Sequence, residues 1–301
     1  MKVDVTMLNP TKIPMLRNWL VLLFLCSGSF VHAVSYGPSL HQAEWRLELS
    51  PFECRLWQPI PAFGEAVFSN RAGEEQKFYL APVKPLMKAG KANLISRGPV
   101  WDESRESVSM GQVAVKAAAK PVLLGKHQSY RLLNELYDGK SPIFTQQSWF
   151  QDSELVEVFM SSVHFRKAYS EYKGCLIGLL PVNFDQIRRS RINFTTAKSS
   201  LTRNIKDQLD KIAQYVKADP LEISFFIDGH TDSRGRRLLN LELSKKRAEA
   251  VTQYLVARGV NEELISTRYH GELYPVKNNK TAKNRKDNRR VTIRLERKGD
   301  V

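Results

Sequence analysis

The stretch Gly229-His230-Thr231-Asp232-Ser233-Arg234-Gly235, followed by Asn240, Leu243-Ser244 and Arg247-Ala248, places opposite charges along a short span of chain. A carboxylate at Asp232 can accept hydrogen bonds from an ammonium group. The planar fork of Arg247 can grip a carboxylate through two parallel bonds. Together they suit a zwitterionic ligand; the plainer alternative is a structural ion pair around a turn. Catalysis is poorly supplied, because His230 and Asp232 lack a nucleophile or a second carboxylate at a useful spacing. A zinc site would need further ligands, and they do not cluster here. The expectation is a binding site that uses no metal and no cofactor.

Such a site needs a strand that stops before Asp232 and a helix that carries Arg247. After Pro220, the residues Leu221, Ile223, Phe225 and Ile227 alternate with period two, which predicts a strand. Asn240 is then expected as the N-cap of a helix in which Leu243, Ala250, Val251, Tyr254 and Leu255 recur at helical spacing until Gly259. Arg247 would lie about two turns in, and backbone N–H groups near Asn240 would favour an anion in the same cleft. Around this unit, 187–194 reads as a first strand. Leu201, Ile205, Leu209, Ile212 and Val216 mark a helix, capped by Ser199 or Ser200 and ended by Asp219-Pro220. A strand over 265–269 and a last one carrying Val291, Ile293 and Leu295 complete an αβ layer with a mixed sheet.

Gly-His-Thr-Asp, Gly235, Asn240, Leu243-Ser244, Arg247-Ala248 and the later Asn288-Arg289-Arg290-Val291 resemble, in type and spacing, the signature of the OmpA-like peptidoglycan-binding domain over about residues 183–298. The resemblance implies a non-catalytic module that holds the diaminopimelate of a peptidoglycan stem peptide. Asp232 and Arg247 are its implied ligands, and Thr231, Asn240 and Arg290 belong to the same binding set. The chain departs from the pattern at His270, before Gly271, and in the unusually basic segment from Lys277 to Lys286.

The chain begins with Lys2, Lys12 and Arg17, an apolar run from Trp19 to Leu25, and Val31-His32-Ala33, the plan of a cleaved secretory signal peptide over residues 1–33. Lipidation at Cys26 is the competing idea, but Leu25 is bulky where a small residue normally precedes a lipid-modified cysteine. Cleavage leaves Cys54 and Cys175 as the only cysteines of a chain sent to an oxidising compartment, which predicts a disulfide rather than two buried thiols. The full sequence has 301 residues, a formal charge of +15 and a pI near 9.7, so an acidic partner is expected. For an exported chain that partner is an anionic wall or membrane surface. No nucleic-acid-binding motif is present, so nucleic acid is not expected.

The remaining length allows two domains, 34–181 and 182–301. In the first, Trp45-Leu47-Leu49, Ala66-Phe68, Phe78-Leu80, Val113-Val115, Tyr130-Leu132 and Val156-Val158-Met160 alternate with polar neighbours between Gly and Pro residues. Short strands without a long amphipathic helix predict an antiparallel β-rich domain, sandwich-like or a partly closed barrel, so the chain is α+β overall. The two cysteines, and the stretch 172–181 ahead of the second domain, make the whole plan resemble the family of sodium-type flagellar motor proteins. That resemblance implies a periplasmic protein whose first domain attaches to the flagellar basal body, forms a ring with a periplasmic partner and helps recruit the sodium-driven stator complex. Another OmpA-like envelope anchor, unrelated to motility, is the alternative.

Overall fold

The computed structural model describes residues 32–99, 106–151 and 153–299. Apart from His32 and Ala33, the expected signal segment lies outside the described residues. The N-terminal half contains strands β1 (His32–Tyr36), β2 (Arg46–Leu49), β3 (Glu53–Ile60), β4 (Gly64–Arg71), β5 (Lys77–Pro82), β6 (Gly90–Arg97), β7 (Val108–Val115) and β8 (Leu123–Leu124). Helix α1 (Lys126–Tyr137), strands β9 (Ser141–Gln147) and β10 (Glu154–Phe159), and helix α2 (Phe165–Gly178) follow.

Two five-stranded sheets form, in the orders β1-β10-β9-β6-β7 and β2-β3-β4-β5-β8. All neighbours are antiparallel except β1 and β10, which run parallel. Each sheet stays open, so the barrel alternative is not realised. Strand β3 shows why the layers pack: Cys54, Leu56, Gln58 and Ile60 are buried while the intervening residues are half-buried, the period of a pleated strand with one face inward. Phe78 of β5 and Phe144 of β9, from different sheets, stack at 5.6 Å in one shared core.

Two expectations fail in this half. Tyr130-Leu132 belongs to α1, where Ser129, Leu132, Leu133 and Leu136 are buried at helical spacing; the local alternation was a fragment of a longer 3.6-residue period. The 14-residue α2 buries Phe165, Ala168 and Tyr172, so an amphipathic helix occupies the stretch that leads to the second domain. The bond between Cys54 and Cys175 is formed and fastens α2 to β3 across a sequence separation of 121.

The C-terminal half runs α3 (Phe184–Ile187), β11 (Arg189–Asn193), α4 (Arg203–Ala218), β12 (Ile223–Gly229), α5 (Arg237–Ala257), β13 (Ile265–Tyr269), α6 (Ala282–Asn288) and β14 (Arg290–Arg297). Its sheet has the order β11-β14-β12-β13. It is mixed as expected, because α5 carries the chain over to a β13 parallel to β12, while β14 inserts antiparallel between β11 and β12. The first strand is shorter than expected, since Phe184–Ile187 forms a helical turn closed by an Asn183 and Gln186 capping box. The cap of α4 is Thr202, not Ser199 or Ser200. Ile205, Leu209 and Ile212 of α4 and Ala248, Val251 and Leu255 of α5 cover Phe225, Ile227, Val291 and Ile293 in the core.

The two halves touch. Phe52 packs edge-on against Tyr215 at 5.2 Å, and Ala72, from the turn after β4, is wholly buried in the C-terminal core. The side chains of Asn183 and Gln186 donate to Ala72 O and Gly73 O at 3.0 and 2.9 Å.

Candidate functional site

Strand β12 ends at Gly229 because the chain there passes under α5. A Cβ at this position would lie 2.3 Å from the Ser244 carbonyl oxygen, so only glycine permits the approach. His230 N then donates to Arg290 O at 2.9 Å and Thr231 N to Gly271 O at 2.7 Å, fastening the turn between β14 and the loop after β13. Asp232 follows with 6% of its surface exposed. One of its oxygens accepts from Arg234 N at 3.0 Å, a side chain closing its own turn; the other accepts from Arg289 Nη1 at 2.8 Å.

Arg247 is fully buried. Its Nε donates to Lys198 O at 2.8 Å, Nη1 to His230 O at 3.2 Å and Nη2 to Thr195 O at 3.0 Å, and its guanidinium lies 5.2 Å from the Phe194 ring centre. Burial, and then the neighbouring Arg289 charge, lowers its pKa to about 10, although Asp232 opposes the shift. Asp232 and Arg247 therefore share a neighbourhood without forming an ion pair. The carboxylate is paired with Arg289, which lies in the Asn288-Arg289-Arg290-Val291 motif but is not among the expected ligands. Both tandem arginines turn inward, and which of them meets Asp232 is not visible in the sequence.

Arg290 faces elsewhere: its Nη2 donates to Tyr274 O at 3.1 Å, while Nε is buried without a partner. The Thr231 hydroxyl is likewise buried and unpartnered. Asn240 is not the N-cap. Helix α5 begins at Arg237 with Arg236 in the cap position, which makes Asn240 the fourth helical residue and puts Arg247 nearly three turns in. The Asn240 N–H closes the first turn on Arg236 O at 3.0 Å, and its side chain donates to Glu272 at 2.8 Å. Arg236 caps the helix without a side-chain hydrogen bond, so residue type carries no signal for where it starts.

His230 is a structural neighbour of this cluster. Its ring stacks on His270 with centroids 5.0 Å apart, and Nδ1 lies 3.3 Å from Leu273 O. Burial, and then the Arg290 charge, lowers its pKa to about 4, so it is neutral at physiological pH. His270 Nε2 is 2.8 Å from Asp228, which also accepts from Arg268 Nε and Nη2 at 2.8 and 3.1 Å. Among the described residues no group of three or more His, Cys, Asp or Glu is placed to hold a metal ion.

What emerges is a buried cluster of two guanidinium groups and one carboxylate at a strand-to-helix turn, on an αβ layer with a mixed sheet. This half of the chain is an OmpA-family domain, and residues 193–289 match that family. Residues 36–181 match the family described as the MotY N-terminal domain, so this chain carries a MotY N-terminal domain followed by an OmpA-family domain. It is 29% identical to "Sodium-type flagellar protein MotY" of Vibrio parahaemolyticus over 291 residues, covering 94% of this chain and 99% of that protein. It is 40% identical over 102 residues to "Outer membrane protein A" of Bordetella avium, covering 34% of this chain and 52% of that one. A solved structure, the peptidoglycan-associated lipoprotein from Burkholderia pseudomallei, is similar at 30% identity and a TM-score of 0.34, covering 35% of this chain and 89% of that chain.

Proposed function

We propose that this protein is a non-catalytic component of the flagellar motor that works in the periplasm after export, with residues 1–33 as its cleaved signal peptide. Residues 182–301 bind peptidoglycan, and residues 34–181 associate with the basal body beside a periplasmic ring partner. By holding the ring to the wall, the protein stabilises the sodium-driven stator units around the rotor. The relationship to MotY and to OmpA-family proteins supports the motor and wall halves of this reading.

The observation that carries the wall-binding half is Arg247, a fully buried guanidinium that donates three hydrogen bonds, all to backbone carbonyls. A buried charge of this kind is costly until a counter-charge reaches it. Arginine has five N–H donors, so two remain for an incoming carboxylate. Asp232 has lone pairs left on both oxygens for an ammonium group. The side-chain end of diaminopimelate carries both charges on one carbon and offers them as a pair. The Thr231 hydroxyl, buried and unpartnered, adds a polar atom next to Asp232 in the chain.

The test has two arms. The purified mature chain should sediment with insoluble sacculi without releasing fragments. A strain lacking the gene should assemble flagella yet fail to swim. Release of muropeptides would make it an enzyme, and normal swimming in the absence of a second copy would remove the motor role.

A further inference from the structure

Two exposed basic segments, a basic rim, flank the turn that carries Asp232, and neither takes part in the ligand pair. Arg234, Arg236 and Arg237 on one side and Lys277, Lys280 and Lys283 on the other are exposed. Among the described residues none of the six enters an ion pair. The nearby acids are engaged: Asp232 with Arg289, Glu242 with Lys246, and Glu272 with Asn240. Asp287 is the single acid between residues 277 and 289.

The two basic segments are held together. Ser233 N donates to Asn279 Oδ1 at 3.3 Å, and the wholly buried Asn288 donates through Nδ2 to the same oxygen at 2.8 Å and to Lys277 O at 2.7 Å. Arg285 Nη1 donates to Asn279 O and Lys280 O, both at 2.9 Å, so the loop is fixed to α6. Arg236 and Arg237 also occupy the cap and first position of the 21-residue α5, whose first turn carries no acid. Cations there oppose the positive end of the helix dipole, an arrangement that an anion would relieve.

We infer that this basic rim reads the further carboxylates of the stem peptide, so that binding distinguishes stems with free carboxylates from amidated ones. The inference rests on the proposed peptidoglycan binding. A stem peptide carries, besides the zwitterionic end of diaminopimelate, the α-carboxylate of its γ-linked D-glutamate and a chain-terminal carboxylate. With Asp232 and Arg247 holding diaminopimelate, these groups extend past the rim. Exposed cations add modestly to affinity, and their contribution is screened by salt.

The experiment is calorimetric titration of the mature chain with synthetic L-alanyl-γ-D-glutamyl-diaminopimelate and with the same peptide carrying D-isoglutamine. Wild type should favour the free acid by about three- to tenfold at low salt and lose most of that ratio at high salt. The ratio should fall to one in the triple variants Arg234→Gln/Arg236→Gln/Arg237→Gln and Lys277→Gln/Lys280→Gln/Lys283→Gln, with circular dichroism matching wild type. Equal affinity of wild type for the two peptides, or a preference that survives both variants, overturns the inference alone. Failure of wild type to bind either peptide overturns the peptidoglycan reading with it. Binding to phosphatidylglycerol vesicles that the variants lose, without discrimination between peptides, would assign the rim to a lipid surface instead and also overturn it.

Discussion

Arg247 is a scaffold as well as a ligand candidate. Replacing it with alanine would strip a donor from each of three carbonyl oxygens, at Lys198, His230 and Thr195, so lost binding in that variant could not be separated from lost stability. Asp232→Asn keeps an oxygen for Arg234 N but removes the charge that both an ammonium group and Arg289 need, so its melting curve is read beside its binding. The expected result is a folded protein whose affinity for sacculi falls about 30-fold, roughly 2 kcal/mol for a charge-assisted bond. Unchanged sedimentation at matched salt would make the carboxylate purely structural. His230 gives a second prediction. Its folded pKa, about 4, lies below the ordinary value of 6.5. The unfolded chain therefore binds the proton first, and stability should be complete above pH 6.5 and lost as pH falls toward 4. The loss is at most roughly 3 kcal/mol. Urea melts of wild type and His230→Asn across this window should show the extra acid sensitivity only in wild type, and parallel curves would count against it.

At the scale of elements, α2 owes its position to two independent ties. The disulfide joins Cys175 near its end to Cys54 in the middle of the first-domain core, and Tyr172 Oη donates to Gln76 at 2.6 Å from a wholly buried ring. Burial pushes the Tyr172 pKa up, so the hydroxyl stays a donor throughout the physiological range. Because the bond closes a loop with a separation of 121, its removal should cost about 2 to 5 kcal/mol. Cys54→Ser and Cys175→Ser should melt alike, and both below wild type. Two reactive thiols in native protein from the envelope would show that the bridge does not form in the cell. Helix α5 has a different kind of termination: Gly259, at φ +88°, lets its N–H return to Val256 O at 2.8 Å while Val260 N reaches Leu255 O at 3.1 Å.

In the molecule as a whole, the two halves are less independent than two cores and a short boundary would imply. Ala72 and Phe52 come from the first half yet pack into the core of the second, and Arg71 reaches Asp185 at 3.4 Å. Force applied to one half thus meets hydrogen-bonded backbone, not a free linker, before it reaches the other. A fragment of residues 182–301 should fold but melt about 5 to 10 °C below the same half in the intact chain, because about 1 to 2 kcal/mol of packing is gone. Equal melting temperatures would show that the contact contributes nothing. If the proposed roles hold, a chain ending near Pro181 should still reach the basal body while supporting poor motility.

The elements around the site were legible because their signals are local. Alternation from Ile223 to Ile227, the apolar stripe of α4 and the stop at Gly259 each depend on residues within a few positions of one another, and cysteine pairing followed from elimination. The same dependence on near neighbours misled at Tyr130-Leu132, where three residues of a helix look like a strand. What no local pattern contains is the partner of Asp232. Arg289 lies 57 positions away, and it reaches the carboxylate once β14 pairs with β12 and sets Val291 opposite Gly229. Strand pairing brings the tandem arginines to the turn, and helix packing buries Arg247 against three carbonyls; both are decided by the assembled sheet and the helix that crosses it.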